Sequence, residues 1–276
     1  MRKLSVVIIT FNEEECIGRC IASVRQLADE IVIVDSYSSD ATIAIAEMMG
    51  ARVIEQEFLG YVQQKNFAMM QASNPFVLSI DADEEVSAEL AMSILEAKKT
   101  SDFDVYVCHR MANYCGKWIR HGGWYPDKKL RLFDKSKGNW VGESIHEKWL
   151  PSNNRQAIGV LQGDLLHYSF TSISNHLKQI ENFTEIAAKQ AISCGKTCSI
   201  IKVWLSPKWR FFNDYFLHLG ILDGYAGYLI AKYSAFATQV KYSKIRHYSM
   251  LTKTKNFKMI DLTKYSRIVQ KAQSVK

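Results

Sequence analysis

The sequence predicts an α/β fold, with a mostly parallel sheet covered by helices on both faces and a C-terminal helical region. Short apolar runs alternate with helix-length segments over residues 1–100, which is typical of βαβ units. From residue 171 onwards, apolar residues recur at helical spacing instead. A chain of 276 residues is long enough for one large domain with an appendage.

Four apolar runs predict the strands of the parallel sheet, and the segments between them predict helices. We expect strands at residues 4–9, 31–34, 52–57 and 76–80, and helices at residues 41–49 and 61–73. A helix after the first strand would present Ile17, Ile21 and Val24 on one apolar face. Asn12 is expected to cap it, with Glu15 three residues on.

The pattern changes after an amphipathic helix predicted at residues 87–98. Strand-like stretches follow at residues 104–110, 130–133 and 158–170, separated by a segment rich in Gly, aromatic and basic residues. We therefore predict one domain over residues 1–170, with halves at about 1–100 and 101–170. A helical region over residues 171–276 follows, in which Pro207 is expected to break the helical pattern.

Charge is distributed unevenly along the chain. Residues 1–201 carry 21 Lys and Arg against 25 Asp and Glu, whereas residues 202–276 carry 14 against 3. A basic tail of this kind favours an anionic partner, either nucleic acid or anionic lipid. Its many aromatic residues favour a membrane surface, and Asp223 and Lys232 interrupt the apolar run, so we expect it to lie on the membrane. The alternative is a set of helices packed on the first domain with a basic outer face.

An acidic cluster follows the strand predicted at residues 76–80. Asp81, Asp83, Glu84 and Glu85 repel one another, and a hard divalent cation is the usual compensation. The alternative is a solvated turn before a helix capped by Ser87. Asn12-Glu13 and Asp35 also follow predicted strands, and open parallel sheets bind ligands outside the carboxyl ends of their strands. This convergence favours a metal-diphosphate site.

These strand ends resemble family 2 glycosyltransferases of the GT-A fold. The resemblance is carried by LSVVIITFNE at residues 4–13, IVIVDSYSSDAT at residues 31–42 and Asp81-Ala82-Asp83, and it covers residues 3–170. Gly123-Trp124-Tyr125-Pro126-Asp127, Arg131-Leu132-Phe133 and Ile145-His146-Glu147 resemble the branch that builds lipopolysaccharide core, and so does the tail motif at residues 206–212.

The resemblance implies a nucleotide-sugar donor, UDP-glucose being the expected one, and a divalent metal, Mg²⁺ or Mn²⁺. The implied donor-binding residues are Thr10, Asn12, Glu13, Asp35, Lys65, Asp81 and Asp83. Asp83 is expected to bind the metal directly, with Asp81 on ribose or a metal-bound water and His167 as a further contact. For Asn12 and Glu13 the alternative is helix capping alone, and for Lys65 it is a solvated position on a helix.

The transfer also needs a base for the acceptor hydroxyl. Glu143 and Glu147 are the candidates, and we favour Glu147 because it ends the Ile145-His146-Glu147 motif; His146 would orient the base or bind the acceptor. Acceptor contacts are expected from Trp124, Tyr125, Arg110 and Arg131, although the two aromatic residues would equally suit a core.

The sequence therefore predicts an inverting, metal-dependent glycosyltransferase that acts on lipopolysaccharide core or a related envelope glycan. We expect it in the cytosol, at the cytoplasmic face of the inner membrane, without a nucleic-acid partner. Three alternatives remain: a non-catalytic nucleotide-sugar-binding protein, a basic protein that binds nucleic acid or membrane, and an aspartyl-phosphate hydrolase. The last is disfavoured because its Asp-x-Asp pair normally follows the first strand and is succeeded by Thr, where this chain has Val86.

Overall fold

The computed structural model describes residues 1–142, 147–153 and 155–253. They divide into two compact units. Among the described residues, the sheet unit comprises residues 1–111 and 127–168, and the helical unit comprises residues 112–126 and 169–253. Residues 112–126, which we assigned to the first domain, therefore belong to the helical unit.

The described strands are β1 (Leu4–Thr10), β2 (Glu30–Asp35), β3 (Arg52–Glu55), β4 (Phe76–Asp81), β5 (Glu84–Val86), β6 (Val105–Tyr114), β7 (Lys117–Trp118), β8 (Asp127–Asp134), β9 (Gly138–Val141), β10 (Lys148–Pro151) and β11 (Gly159–Phe170). The main sheet has the strand order β3-β2-β1-β4-β8-β6-β11-β5, with β7 paired to β6, and β9 and β10 form a separate two-stranded sheet. β1 to β4 run parallel, whereas β8 is antiparallel to β4 and β6. The predicted α/β fold is confirmed, as a mixed sheet whose first four strands are parallel.

Helices alternate with the parallel strands and then dominate the C-terminal part. They are α1 (Ile17–Val24), α2 (Thr42–Met48), α3 (Tyr61–Gln71), α4 (Ala88–Thr100), α5 (Ile173–Ser193), α6 (Ile200–Phe212) and α7 (Gly224–Lys253). A π-helical turn (Asn213–Leu217) and a 3₁₀ turn (Gly220–Asp223) connect α6 to α7. The predicted C-terminal helical region is therefore present.

The start of α1 corrects one expectation. Its N-cap position is Cys16, without a side-chain hydrogen bond. Asn12 has a left-handed backbone, with φ of 54°, and its Oδ1 accepts a hydrogen bond from the Ser39 amide at 2.8 Å. Asn12 therefore does not cap α1, because its side chain holds the turn after β2 instead.

Both faces of the parallel sheet are buried. Leu4, Val6 and Ile8 of β1 face the core formed with α1 and α4. The alternate residue Val7 faces the opposite core, which includes Trp140 and residues of α3. Packing on both sides explains why β1 reads as a continuous apolar run. Because β1 to β4 run parallel, their carboxyl ends lie at one edge of the sheet.

The helical unit has its own core. Tyr114, Ile119 and Phe170 pack with Leu229 and Ile230 of α7. α6 passes through Pro207 without ending there, so the predicted break is wrong; the helix continues to Phe212. None of the helices within the described ranges is long and apolar enough to cross a membrane.

Candidate active site

Three predicted site residues lie at the carboxyl ends of adjacent parallel strands. Thr10 of β1 is in register with Asp35 of β2, and Ile9 of β1 is in register with Asp81 of β4. The carboxyl ends of these strands thus form one edge, as the sequence predicted.

Asp35 is fully buried and is hydrogen-bonded within the protein. Its Oδ2 accepts from the Thr10 hydroxyl at 2.7 Å and from the Ser38 hydroxyl at 2.6 Å, and its Oδ1 accepts from the Ser38 amide at 2.7 Å. Asp35 therefore positions the turn that follows β2. Its contact with a nucleotide stays a prediction.

The turns after β1 and β2 are joined by further hydrogen bonds. The Asn12 amide donates to Ser38 Oγ at 2.8 Å, and the Glu13 amide donates to Thr42 Oγ1 at 2.8 Å. The Ser39 amide donates in the opposite direction, to Asn12 Oδ1. We call these two joined turns, residues 10–14 and 35–42, the paired turns. They present polar backbone and side chains next to the strand ends.

Lys65 lies at the centre of an ionic network. Its Nζ is 2.9 Å from Asp81 Oδ1 and 2.9 Å from Glu147 Oε1. The side chain is 2% exposed, and Nζ lies 4.7 Å from the centre of the Trp140 ring. This burial contradicts the alternative of a solvated helical lysine. A single ammonium thus joins a predicted donor-binding residue to the predicted base.

Arg131 and Arg110 provide further positive charge to the acidic cluster. Arg131 Nη2 is 2.8 Å from both Asp81 Oδ2 and Glu84 Oε1. Arg110 pairs with the same Glu84 oxygen at 3.3 Å and with Asp127 Oδ2 at 2.9 Å. Cationic side chains of the protein therefore compensate Asp81 and Glu84, so repulsion among the acids does not by itself require a metal. Both arginines were predicted to bind the acceptor, but Arg131 is buried with its guanidinium directed at these carboxylates.

The ionic network keeps the Asp81 carboxyl group ionised. Burial raises the pKa of Asp81, but Arg131 and Lys65 outweigh this effect and hold the pKa well below its usual range. Burial, together with Glu84, raises the pKa of the Cys20 thiol well above normal. Asp81 is therefore a carboxylate near neutral pH, and Cys20 is not a candidate nucleophile.

Asp83 and His167 form a second polar pair beside this network. His167 Nε2 is 3.3 Å from Asp83 Oδ2, and the pairing of β5 with β11 brings them together. Their separation fits neighbouring positions on a six-coordinate ion, since metal–oxygen bonds of about 2.1 Å put adjacent ligands roughly 3 Å apart. Within the described ranges, no group of three or more His, Cys, Asp or Glu side chains could hold a metal. A divalent ion here would need further ligands from water or substrate phosphate.

The other predicted residues are distributed differently. Glu143 and His146 lie outside the described residues. In the helical unit, the Trp124 ring packs edge-on against Tyr114, with centroids 5.9 Å apart, and lies 5.8 Å from Phe170. This packing is what the core alternative expects of Trp124. Tyr125 is partly buried, and its acceptor role stays a prediction.

Sequence reasoning missed two members of the site. Glu84 is buried by the pairing of β5 with β11, and nothing in the acidic run distinguishes it from its neighbours. Trp140 covers Lys65, and its indole Nε1 is buried without a hydrogen-bond partner among the described residues. Trp140 alternates with the exposed Asn139 and Val141 along β9, which directs its ring inwards.

Comparison with known proteins identifies relatives over most of the chain. Residues 5–151 match the profile of Glycosyl transferase family 2. An uncharacterized glycosyltransferase of Rickettsia felis is 34% identical over 93% of this chain and 93% of its own length. The lipopolysaccharide core biosynthesis glycosyltransferase LpsC of Rhizobium meliloti is 30% identical over 86% of this chain and 91% of its own length.

Among solved structures, one match is glucosyl-3-phosphoglycerate synthase from Mycobacterium tuberculosis, in complex with Mn²⁺, UDP and glucosyl-3-phosphoglycerate. It is 24% identical, with a TM-score of 0.35, and the match covers 41% of this chain and 44% of that chain. The chain thus spans less than half the length of this solved structure. On the profile match and the full-length relatives, the chain belongs to glycosyl transferase family 2 and is a glycosyltransferase.

Proposed function

We propose that this glycosyltransferase moves a hexose, with inversion, from a UDP-sugar to lipopolysaccharide core or a related envelope glycan. The observation that carries the proposal is the Lys65 ammonium, 2.9 Å from both Asp81 and Glu147 at the sheet edge. This ammonium connects Asp81, a carboxylate suited to binding the donor, with Glu147, a carboxylate suited to deprotonating an acceptor hydroxyl. Similarity to the Rhizobium meliloti core enzyme supports the acceptor class.

The donor nucleotide would lie against the paired turns. Amide and carboxylate groups of Asn12, Glu13 and Asp35 have the donors and acceptors that a uracil edge and ribose hydroxyls need. Lys65 and Arg131 contact Asp81 at the end of the neighbouring strand β4, and their positive charge favours the negative diphosphate. UDP-glucose is the first donor to test.

A divalent ion, Mg²⁺ or Mn²⁺, would be held by Asp83 and His167 together with the donor diphosphate. Mg²⁺ sites commonly use one or two protein carboxylates and complete their coordination with waters and substrate phosphates. When bound, the ion neutralises charge that develops on the departing diphosphate. Asp81, held by Lys65 and Arg131, would orient ribose or a metal-bound water.

Glu147 would accept the proton of the attacking acceptor hydroxyl. The Glu147 carboxylate pairs with the Lys65 ammonium, which also pairs with Asp81. This shared partner keeps Glu147 close to the proposed donor-binding residues. Direct displacement needs one base and inverts the sugar carbon, so a second nucleophilic carboxylate is unnecessary. Glu143 remains the alternative base, and His146 an orienting or acceptor-binding residue. Trp124 and Tyr125 remain candidates for acceptor contact.

An inactive nucleotide-sugar-binding protein is the remaining alternative within the family. It would retain UDP binding without turnover. We place the active enzyme at the cytoplasmic face of the inner membrane, where nucleotide-sugar donors and lipid-linked acceptors are both present.

The test is UDP release from UDP-glucose in the presence of acceptor, with and without added Mg²⁺ or Mn²⁺. Glu147→Gln should lower kcat by about 10²- to 10⁴-fold, the usual contribution of a general base. Asp83→Ala should lower activity and weaken its metal dependence. Asp104→Ala is the matched control, because this carboxylate is 37% exposed and its ion pairs among the described residues are with Arg2 and Lys137. Wild-type turnover in Asp83→Ala would contradict the metal role.

A second measurement separates binding from chemistry. Nucleotide-sugars can be screened for metal-dependent thermal stabilisation, since a ligand that binds only the folded state raises the midpoint. UDP-glucose should stabilise the wild-type protein more with metal than without. Stabilisation without any turnover, on acceptors across this class, would favour the inactive binding protein.

A further inference from the structure

Helix α6 presents its apolar residues outwards. Val203 and Pro207 are buried and define its inner face. On the opposite side, Ile201, Leu205 and Phe212 are 65%, 58% and 46% exposed. Together with the exposed Lys208 they follow the helical spacing i, i+4, i+7, i+11. A helix on the surface of a soluble protein normally exposes a polar stripe there.

The apolar exposure continues beyond this helix. We define residues 200–228 as the apolar segment, which includes α6, the two short turns and the start of α7. Large side chains between 46% and 73% exposed include Trp204, Trp209, Phe216, Leu217, Leu222 and Tyr225. A concentration of this kind marks an interaction surface rather than the scattered apolar residues of an ordinary exterior.

The exposed charge in the apolar segment is exclusively positive. Its two acids, Asp214 and Asp223, are 1% and 4% exposed. Asp214 is paired with Arg210 at 2.6 Å, and Asp223 accepts hydrogen bonds from backbone amides. Lys202 and Lys208 remain exposed among the apolar side chains. The fold therefore removes the acids of this segment from its surface and leaves the cations there.

Aromatic and aliphatic side chains interspersed with lysine match the chemistry of a bilayer interface. Apolar side chains enter the boundary between headgroups and acyl chains, and cations attract anionic headgroups. A second copy of this chain would instead bring two positive surfaces together. We propose that the apolar segment docks the enzyme on an anionic membrane surface. The proposal rests on the proposed function in one respect, since a lipid-linked acceptor is found at such a surface.

The test is co-sedimentation with vesicles of phosphatidylcholine alone or mixed with phosphatidylglycerol. The wild-type protein should bind the mixed vesicles more strongly, and added salt should weaken binding. Leu205→Glu combined with Phe212→Glu should reduce binding at least about tenfold, because two apolar side chains are lost and two repulsive charges are gained. Met70→Glu with Met92→Glu is the matched control, since both methionines are 65% exposed in the sheet unit.

A second variant isolates the electrostatic part. Lys202→Glu with Lys208→Glu should remove the preference for phosphatidylglycerol while leaving a weaker apolar component. Circular dichroism and the thermal midpoint verify that both variants fold. Equal binding by the Leu205/Phe212 variant and the wild type, or no preference for anionic vesicles, would overturn the proposal.

Two further readouts keep the docking surface separate from the proposed reaction. Metal-dependent stabilisation by UDP-glucose needs no vesicles, so its loss counts against the donor site alone. Sedimentation velocity without lipid reports the oligomeric state. A wild-type dimer that the Leu205/Phe212 variant converts to monomer would assign the segment to self-association and would also overturn the proposal.

Discussion

Two buried acidic sites, one in each unit, are stabilised in different ways. In the sheet unit, Asp81 and Glu84 are paired with the side-chain cations Lys65, Arg131 and Arg110. In the helical unit, Asp223 accepts from the backbone amide and the ring Nδ1 of His121 and from the backbone amide of Arg120. A side-chain cation can rotate towards an incoming anion, whereas a backbone amide that is fixed by the fold keeps its position. The ionic network around Asp81 therefore suits a binding site. The hydrogen bonds of Asp223 suit a structural anchor, and we use the word anchor for Asp223 and these partners.

The anchor holds one particular loop of the helical unit. Lys117 Nζ donates to the Asp223 carbonyl oxygen at 2.6 Å, and the Gly122 amide donates to the His218 carbonyl at 2.8 Å. Gly220 is closely surrounded, because an added Cβ there would lie 2.6 Å from the Asp214 carbonyl oxygen and 3.3 Å from the Gly122 Cα. Residues 117–123 are thereby fixed to the apolar segment.

The largest expected effect is on the network of the sheet unit. Arg131→Met leaves Asp81 and the fully buried Glu84 without their shared partner, so the free energy of unfolding should fall by about 3–5 kcal/mol. Chemical denaturation measures it. Lys129→Met is the control on the same strand, because its pair with Asp127 is partly exposed and should contribute at most about 1 kcal/mol. Similar losses in both variants would contradict the network.

The next effect distinguishes the helical unit by its pH dependence. Burial lowers the pKa of His176 to about 4, and the ring packs against Tyr114, Phe170 and Tyr233. The unfolded chain therefore binds a proton at higher pH than the folded one, so stability is lost as pH falls from about 6.5 to 4, by about 3 kcal/mol in total. Unfolding followed across this range should be flatter in His176→Phe. An unchanged pH profile would argue against a neutral buried imidazole.

A smaller effect tests the anchor. Asp223→Asn keeps the size of the side chain but replaces one acceptor oxygen with a donor facing backbone amides, which should destabilise the protein by about 1.5–3 kcal/mol. Asp104→Asn, at a partly exposed pair, should change stability by less than about 1 kcal/mol. Equal thermal midpoints for Asp223→Asn and Asp104→Asn would contradict the anchoring role of Asp223.

The smallest effect compares two helix caps. Ser87 Oγ accepts from the amides of Leu90 and Asp164, whereas Ser199 Oγ accepts from the Lys202 amide alone within the described part of the chain. Ser87→Ala should therefore cost about 1–2 kcal/mol and Ser199→Ala about 0.5–1 kcal/mol. Urea titration of both variants under identical conditions resolves the difference. The reverse order would show that the second hydrogen bond of Ser87 adds nothing.

Local sequence patterns predicted the parallel half of the fold well. β1, β2 and β4 are continuous apolar runs because both faces of the sheet are buried, and Ser87 caps α4 as expected. The convergence of Thr10, Asp35 and Asp81 follows from strand direction alone. These features depend on short segments and on a general rule of parallel sheets.

Features that depend on distant pairing were not accessible in this way. Arg131 was predicted to bind the acceptor, and its burial was not foreseen because it arises from the antiparallel pairing of β8 with β4. Lys65 was predicted to bind the donor, with a solvated position as the alternative. Its burial was not foreseen because Trp140, which covers it, comes from a strand 75 residues later. The prediction that Asn12 caps α1 was wrong because its side chain instead accepts from the amide of Ser39, which is 27 residues away.

The paired turns carry a thermodynamic consequence. Their hydrogen bonds link Asn12 and Glu13 to Ser38, Ser39 and Thr42. A nucleoside that bound here as proposed would meet groups already held by these hydrogen bonds, and its association would lose little chain entropy. Calorimetric titration should accordingly show a heat capacity change that reflects the surface covered by the nucleoside rather than the folding of a loop around it.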